Sequence, residues 1–387
     1  MGCMRQPEPI RGEEVRSFLS SLFESDLHAK RILSMGNATL GAIHAASLSV
    51  HAIGLGLAQA EGLDSKHAIK QVDRLLSNGA IDVGHLFAAW VPFVLGDRKE
   101  AVAAIDWTDF DRDNQATVAI YLVTSHGRAT PLVWKTVIKS ELNGWRNAYE
   151  DELIARLLEV FPAGVKLTLL ADRGFADQKL FDLLRGWEVD FVIRFREVIR
   201  VSEEGGETRA ARDWVPPTGR PKLLRNARIT SDRSPVEAVV CVRARGMKEA
   251  WCLVASDPAA SAAEIVKLYG RRFTIEESFR DAKNPRLGLG LSAARISVPA
   301  RRDRLLLIAA LAIALITLLG AAGESLGFER LMKANTVKRR SYSLLRQGWH
   351  YYQCIPAMKP DRLAMLIERF AQLIAAHRIF REVFGLL

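Results

Sequence analysis

The sequence predicts an α/β fold, because strand-like and helix-like segments alternate through the middle of the chain. Residues 100–106 and 165–172 are short apolar runs that end in an acidic residue, as expected of buried strands with a carboxylate at the tip. Helical spacing of apolar residues occurs at 147–161 and 178–187. With 387 residues, 49% of them hydrophobic, the chain has material for a substantial core and about two or three domains.

The remaining elements complete the order of one architecture. The other strand-like segments lie at 116–125, 129–139 and 190–196, with a turn predicted at 126–128. Three leading strands, a helix, a strand, a helix, a strand and a late acidic helix form the order of an RNase H-like domain. In that order Asp106, Asp172 and the late-helix Glu276 can meet at one edge of the sheet. Folding must assemble such a site, because the three acids are far apart in sequence.

The late helix has four polar side chains at helical spacing. Their offsets are 0, 3, 7 and 14, so a single helix would place them within about 60° of one another on one face. They are Tyr269, Arg272, Glu276 and Lys283. The edge predicted to pack on the core consists of Leu268, Ile275 and Phe279. A carboxylate between cations suits a metal ion beside a phosphate, and the alternative is a solvated helix with ordinary ion pairs.

This pattern resembles the insertion-sequence transposases that have a DDE triad and a Tyr-Arg-Glu-Lys signature. The signature has Tyr, two residues, Arg, three residues, Glu, six residues and Lys, and residues 269–283 meet every interval. Residues 105–109 and 170–175 are similar to the segments around the family's first and second Asp, and the resemblance extends from about residue 66 into the C-terminal quarter. It implies cut-and-paste chemistry on the inverted repeats of a transposon.

The resemblance also implies roles for individual residues. The metal-binding catalytic triad would be Asp106, Asp172 and Glu276. The terminal phosphate of the transposon end would be held by Tyr269, Arg272 and Lys283, and the adjacent Arg271 and Arg280 are further candidate DNA contacts. Members of the family place a Trp in a strand shortly before the signature, where it stacks on a base flipped out of the duplex. Trp251 corresponds to it, although its apolar neighbours also suit an ordinary core position.

Three carboxylates support the same chemistry without reference to a family. Phosphodiester cleavage requires an activated nucleophile, charge relief at phosphorus and a stabilised leaving oxygen, which two divalent ions roughly 4 Å apart provide. Hard oxygen ligands favour Mg²⁺, with Mn²⁺ as a substitute. One such site could use water to nick a strand and a DNA 3′-hydroxyl to attack another.

The net charge predicts a polyanionic partner. The chain has 54 Lys and Arg against 44 Asp and Glu, a formal charge of +10 and a pI of about 9.6. Ten basic and four acidic residues lie within 267–304, and 331–350 has five basic residues and no acidic one. Double-stranded DNA is the expected partner, and a nonspecific basic surface is the alternative.

Three regions are predicted along the chain. They are a helical DNA-end-binding region at 1–98, a catalytic domain at 99–330 with a β-rich insertion at about 197–255, and a basic, helical C-terminal region at 331–387. An amphipathic helix at 65–78 has a basic side for DNA ends, formed by Lys66, Lys70 and Arg74. The final helix, from residue 361, packs on the body or on another subunit. Together with the resemblance, it leads us to expect a homodimer on DNA.

One apolar segment, 305–322, raises the alternative of a membrane protein. Its 18 uncharged residues are near the lower limit for a transmembrane helix, and many of them are Ala. We expect a buried helix on the catalytic sheet instead, because a helix that is apolar all round can form the centre of a large domain. The four cysteines have no zinc-like spacing, so we expect a cytoplasmic protein without disulfides, structural zinc or membrane attachment.

These features together predict a metal-dependent DNA transposase, with two rival functions. The first rival is an RNase H-like nuclease or resolvase that hydrolyses DNA but never joins it. The second is a DNA-binding regulator with a decayed site, against which the intact triad and signature argue. Strand transfer into a second duplex would separate a transposase from the first rival.

Overall fold

Ten strands form one sheet in this computed structural model, which describes residues 12–125, 127–203, 206–284 and 288–375. The strands are β1 (Glu100–Phe110), β2 (Gln115–Leu122), β3 (Thr130–Ile138), β4 (Lys166–Ala171), β5 (Asp190–Phe195), β6 (Arg200–Ser202), β7 (Thr208–Ala210), β8 (Lys222–Ile229), β9 (Ser234–Val242) and β10 (Trp251–Ala255). The helices are α1 (Gly12–Phe23), α2 (Ala29–Ala45), α3 (Val50–Glu61), α4 (Ser65–Ser77), α5 (Val83–Leu95), α6 (Arg146–Val160), α7 (Gln178–Gly186), α8 (Ala262–Gly270), α9 (Phe273–Lys283), α10 (Pro299–Ser325), α11 (Leu344–Cys354) and α12 (Pro360–Ala375). Cys3, the predicted turn residue His126 and residues 376–387 of the predicted final helix lie outside the described residues.

The first five strands have the order expected of an RNase H-like sheet. They run β3-β2-β1-β4-β5 across the sheet, with β1 antiparallel to β2 and parallel to β4, and with β4 parallel to β5. The strands and helices predicted between residues 100 and 196 are present, with ends that differ by a few residues. The mixed α/β class is therefore confirmed.

β1 continues past Asp106, which corrects the prediction that this carboxylate lies at the strand tip. The parallel ladder with β4 ends at Ile105 and Ala171, whereas the antiparallel ladder with β2 continues to Phe110. Asp106 and Asp172 each follow the last pair of the parallel ladder, one on β1 and the other after β4. The ends of two neighbouring parallel strands thus bring the carboxylates side by side, at the edge where α/β folds bind ligands.

The β-rich insertion extends the same sheet beyond β5. β10 pairs antiparallel with β5, and β9, β8, β6 and β7 follow in that order. The chain therefore leaves the sheet after β5, forms four strands further out and returns directly beside β5. This return places Trp251, the first residue of β10, next to the half of the sheet that bears Asp106 and Asp172.

The long apolar helix α10 is a core element. It packs against α2, β3, α11 and α12, and 83% of its most apolar stretch is buried. By length and composition α10 could cross a membrane, and so could α2 with α3 if their 96° bend were a broken span. The burial of α10 by these neighbours agrees with the prediction of a buried helix, because a helix that is apolar all round needs neighbours on every side.

The helical ends of the chain pack onto this core. Trp90 of α5 donates its indole N–H to the Pro131 carbonyl oxygen at 2.8 Å, which joins the N-terminal helices to β3. α12 buries Leu366 and Phe370, and it packs on α10 and α1 of the same chain. The described part of the final helix thus has its apolar face covered within the chain. Of the two packing partners expected for this helix, the body of the chain is the one observed, and the homodimer stays a prediction.

Candidate active site

The four signature residues are divided among α8, a turn and α9, so the predicted single helical stripe is wrong. A turn at Arg271 and Arg272 separates α8 from α9. The backbone N–H of Arg272 donates to the Tyr269 carbonyl oxygen at 2.9 Å, which is the tighter three-residue spacing of a 3₁₀ turn. The side chains on the two sides of the turn differ in exposure to solvent: Tyr269 and Arg272 are buried, whereas Glu276 is exposed.

The predicted apolar residues do pack on the core: Ile275 is fully buried, and Leu268 and Phe279 are half-buried against the core. The buried side of α9 also includes Ser278 and Ala282, which were not predicted. Ser278 can face the core because its hydroxyl is fully paired there. It accepts a hydrogen bond from the Ala129 N–H at 2.8 Å and donates to the Ala129 carbonyl oxygen at 2.9 Å.

Arg272 links two of the three predicted catalytic carboxylates. Its Nη1 donates to Asp106 Oδ2 at 3.1 Å, and its Nη2 donates to Glu276 Oε1 at 2.7 Å. Only 4% of the Arg272 side chain is exposed, so its charge-assisted hydrogen bond to Asp106 is more shielded from water than the one to the exposed Glu276. The guanidinium therefore offsets repulsion between two acids that come from β1 and α9.

The third carboxylate, Asp172, is contacted by a phenol and a second guanidinium. The hydroxyl of the fully buried Tyr269 donates to Asp172 Oδ1 at 3.2 Å. Burial raises the pKa of the Tyr269 phenol, which keeps its proton available for this bond. Arg194 of β5 places Nη1 at 3.9 Å from Asp172 Oδ1, and its Nη2 donates to Glu249 Oε2 at 2.6 Å. In this arrangement Tyr269 positions Asp172.

The three acids affect one another electrostatically. Burial raises the pKa of Asp106; the Arg272 charge and the Trp107 N–H lower it, and the charges of Glu276 and Asp172 raise it again, with a net increase. Mutual repulsion among carboxylates at one edge is the condition that a bound cation relieves. The site thus has the electrostatic character of a cation site as well as the donors.

A hydrogen-bonded cluster supports the strand that bears Asp106. The Trp107 indole N–H donates to Glu150 Oε1 on α6 at 2.6 Å, and Arg146 Nε donates to the same oxygen at 3.2 Å. The Arg146 guanidinium also lies 5.1 Å from the centre of the Trp107 ring, in cation–π contact. These contacts fix β1 to α6 immediately beside the candidate catalytic carboxylate.

Lys283 lies at the other end of α9 and contacts β1. Its Nζ donates to Thr108 Oγ1 at 3.0 Å and to the Asp109 carbonyl oxygen at 2.6 Å, and it lies 4.9 Å from the centre of the Phe110 ring. Burial lowers the pKa of Lys283, an effect that Asp109 partly offsets. The amine therefore holds the C-terminal end of α9 against β1.

An open cleft of about 440 Å³ adjoins these residues. Its walls come from β1, α9 and the segment after α9, and they include Asp106, Trp107, Glu276, Arg280 and Lys283. Arg280 is exposed and ion-pairs with Glu277 one turn away, whereas Arg271 is half-buried in the turn. The structure thus brings Asp106, Glu276, Arg280 and Lys283 to one surface, with Tyr269 and Arg272 behind it.

The residues present fit a divalent cation by their chemistry. Asp106, Asp172 and Glu276 supply hard oxygen donors, and the pKa of Asp106 is raised mainly by burial and further by the charges of Glu276 and Asp172. Their side chains are not gathered at ligand distances. Within the described parts of the chain, no three His, Cys, Asp or Glu side chains lie close enough to hold one ion. Arg272 lies between two of the three acids, so metal binding would require its hydrogen bonds to rearrange.

Trp251 belongs to an aromatic cluster at the start of α9. Its ring lies 5.0 Å from the Tyr269 ring in an edge-on contact and 5.8 Å from the Phe273 ring in a stacked one. Phe273 is 39% exposed, and Trp251 is half-buried. The indole is therefore neither a fully covered core residue nor a free surface platform.

The predicted basic side of α4 faces solvent. Lys66, Lys70 and Arg74 are all exposed, and Lys70 and Arg74 line a groove of about 620 Å³ together with Lys30 and Arg31 of α2. None of the described residues that line this groove is acidic. The groove is an anion-attracting surface that the sequence indicated only on its α4 side.

Comparison with known families finds a match in the middle of the chain. Residues 135–315 match the family model of the transposase DDE domain. The match supports a DDE transposase family, and it runs from β3 into α10. It includes Asp172, Glu276 and all four signature residues, while Asp106 precedes the matched transposase DDE segment. No curated protein matches the chain.

Two residues near the carboxylates were missed by the sequence reasoning. Arg194 contacts Asp172 and follows the apolar residues 191–193 of β5, where a mostly buried arginine side chain is unusual enough to be a signal. Glu150, also buried, supports Trp107 and occupies a core-facing position of α6. Both residues could have been noticed in the sequence, because each is a charged residue at a position where an apolar residue is expected.

Proposed function

We propose that the protein is a transposase that binds the inverted-repeat ends of a transposon and cuts and joins DNA strands with Asp106, Asp172 and Glu276. The observation that supports this most strongly is the convergence of three acids, from β1, β4 and α9, around Arg272 and Tyr269 beside an open cleft. Each acid comes from a different part of the chain, so folding brings the three together. The family match supplies the transposase class, and the remaining detail is our proposal.

The carboxylates would hold divalent metal, with Mg²⁺ as the expected ion and Mn²⁺ as a substitute. Such ions supply an activated nucleophile and charge relief at phosphorus when they are bound. The chain's own residues would do the rest: Tyr269 orients Asp172, and Arg272 holds Asp106 and Glu276 through its two hydrogen bonds. Lys283 and Arg280 line the cleft and would attract the phosphates of the DNA end.

DNA would reach this site through contacts spread over the basic surface. The groove between α2 and α4 presents four cations, and it would bind the phosphate backbone of the end duplex. Backbone contacts of this kind position the duplex without reading its sequence. We propose a homodimer that holds two ends and a cytoplasmic location, and both proposals depend on the family resemblance.

The test uses duplexes taken from the DNA that flanks the gene on each side. The purified protein should cut these ends and join them to a plasmid with Mg²⁺ or Mn²⁺, and it should do neither with EDTA. Asp106→Asn, Asp172→Asn and Glu276→Gln should each lose both reactions while end binding changes little, because binding depends on phosphate contacts elsewhere.

Asp111→Asn is a matched control, because Asp111 is an exposed acid just beyond β1 whose visible partner is Lys139. It should keep cutting and joining at the parental rate. Cutting without any joining would favour the nuclease or resolvase. Binding without cutting by the parental protein would favour the decayed regulator.

A further inference from the structure

A second cleft, of about 450 Å³, lies beside the active-site cleft and shares Arg280 with it. Its other walls come from the turn before β3, the end of α9, α10 and the start of α11. The volume is within the range of about 300 to 1,000 Å³ typical of ligand pockets. We call it the α11 cleft. None of the catalytic carboxylates lines it.

The charge of the α11 cleft is positive. Arg128, Arg280 and Arg346 line it against one acid, Asp281, which Arg128 already pairs with. Arg346 is exposed and forms no ion pair with any residue in the described ranges. The cleft can therefore receive an anionic group without displacing an existing partner of Arg346.

Two aromatic side chains lie next to these cations. Tyr342, just before α11, is 44% exposed, and Trp349, on α11, is half-buried. Exposed aromatic rings beside cations form the surface on which unpaired nucleobases stack while the cations contact their phosphates. A duplex buries its base faces inside the helix and could use only the cations.

We propose that the α11 cleft binds an unpaired stretch of DNA that passes from the active-site cleft across Arg280, with bases against Tyr342 and Trp349 and a phosphate on Arg346. This inference rests on the proposed function for the identity of the polyanion. An unpaired segment arises whenever one strand of an end is cut or opened beside the carboxylates. The shared Arg280 gives its backbone a continuous basic route between the two clefts.

The test measures binding of fluorescent 12-mer oligonucleotides to the full-length protein in EDTA, so that cleavage plays no part. Tyr342→Ala should weaken binding of a single-stranded 12-mer by about 5- to 100-fold, the range that alanine substitution at stacking sites produces. Arg346→Ala should also weaken it, because it removes one phosphate contact. An abasic 12-mer keeps the phosphates and lacks the bases. On it, Tyr342→Ala should have no effect, whereas Arg346→Ala should still weaken binding.

The matched control is Arg362→Ala, an exposed arginine on α12, which should leave binding unchanged. Melting curves check that each variant is folded. A 12-mer with 5-iodouracil should also cross-link to residues 342–349 in the parental protein. Equal binding of the single-stranded 12-mer by Tyr342→Ala and the parent would overturn the proposal, as would an equal loss of duplex binding in the same variant.

An acidic peptide is the other polyanion that such a cleft could accept. If a poly-glutamate peptide displaced the 12-mer from the parent and bound more tightly than it, the cleft would belong to a protein partner and the proposal would be wrong. This outcome does not depend on whether the protein cuts and joins the flanking-DNA duplexes. Failure of the proposed function and failure of this inference therefore produce different results.

Discussion

Arg272 Nη1 lies 3.1 Å from Asp106 Oδ2, although 166 residues separate the two in the sequence. The guanidinium lowers the pKa of Asp106, against the larger opposing effect of burial. Arg272 also donates to Glu276, so one side chain binds two candidate catalytic acids. Arg272 therefore contacts the acids directly, whereas its predicted role was to contact a phosphate of the DNA end.

The first prediction concerns the charge that Arg272 provides. Arg272→Ala should lower cleavage of the end duplex by about 100-fold or more. Arg272→Lys should lower it less, because lysine keeps the positive charge but lacks the planar fork with which Arg272 reaches Asp106 and Glu276 together. Loss of the guanidinium also removes what lowers the pKa of Asp106. That pKa then rises, so the acidic limb of the pH–rate profile should move to higher pH.

Measurement of cleavage between about pH 5.5 and 9 would show both effects. The exposed Arg362→Ala serves as the control and should reproduce the parental profile. If Arg272→Ala cut pre-nicked ends at the parental rate, with an unchanged profile, Arg272 would not set the charge of the acids.

Much of this site could be predicted from the sequence, because its parts are local patterns. The apolar runs before Asp106 and Asp172 indicated strands, and a parallel ladder then fixes both acids at one edge. The signature intervals located Arg272 and Glu276 four residues apart, a spacing that permits their ion pair on a helix.

What the sequence could not indicate depends on tertiary contact. The break at Arg271 and Arg272 arises where Tyr269 turns inward to reach Asp172, and periodicity alone continues the helix through that point. The extension of β1 to Phe110 comes from its pairing with β2 after the ladder with β4 has ended. Arg194 contacts Asp172 from β5, and no local pattern connects the two.

The second prediction concerns the groove between α2 and α4. Lys30→Ala, Lys70→Ala and Arg74→Ala should each weaken binding of an end duplex and of an unrelated duplex by similar factors, because phosphate contacts carry no sequence information. Each should also reduce the salt dependence of the binding constant by about one phosphate contact. Anisotropy titrations at several salt concentrations would measure both quantities.

Lys179→Ala, which removes a cation from α7 outside the groove, is the control. Parental affinity and salt slope are expected for it. An unchanged salt slope in all three groove variants would mean that DNA does not bind there.

The third prediction concerns Trp251, which contacts Tyr269 and Phe273. Trp251→Ala should leave first-strand nicking nearly normal and slow hairpin formation at the DNA end by about 10- to 100-fold, because stacking on a flipped base contributes about 1 to 3 kcal/mol. Trp251→Phe retains an aromatic face and should lose less. Single-turnover assays on nicked ends would separate the two steps.

A structural role for Trp251 has a different signature. If the indole only fills space, Trp251→Ala should lower the melting temperature and slow nicking and hairpin formation equally. Equal losses of this kind would assign Trp251 to the aromatic cluster alone.

The last prediction concerns Asp303, at the start of α10, whose Oδ1 accepts a hydrogen bond from the Thr136 N–H of β3 at 3.0 Å. Burial raises the pKa of Asp303 to about 7, and the Thr136 hydrogen bond opposes this rise. The folded protein therefore retains a proton that the unfolded chain, with an ordinary aspartate, releases near pH 4. Because the folded state binds more protons in that window, the parental protein should lose stability as the pH rises from about 4 to 7.

Asp303→Asn removes this ionisation and can still accept the Thr136 hydrogen bond. The residue remains partly exposed, so we expect the variant to gain about 1 to 3 kcal/mol relative to the parent between pH 5 and pH 7.5, less than the roughly 4 kcal/mol of a fully expressed shift of three pK units. Urea unfolding at both pH values would measure the difference, with the exposed Asp361→Asn as the control. If the difference in unfolding free energy between variant and parent stayed constant with pH, Asp303 would have an ordinary pKa in the folded protein, and the prediction would be wrong.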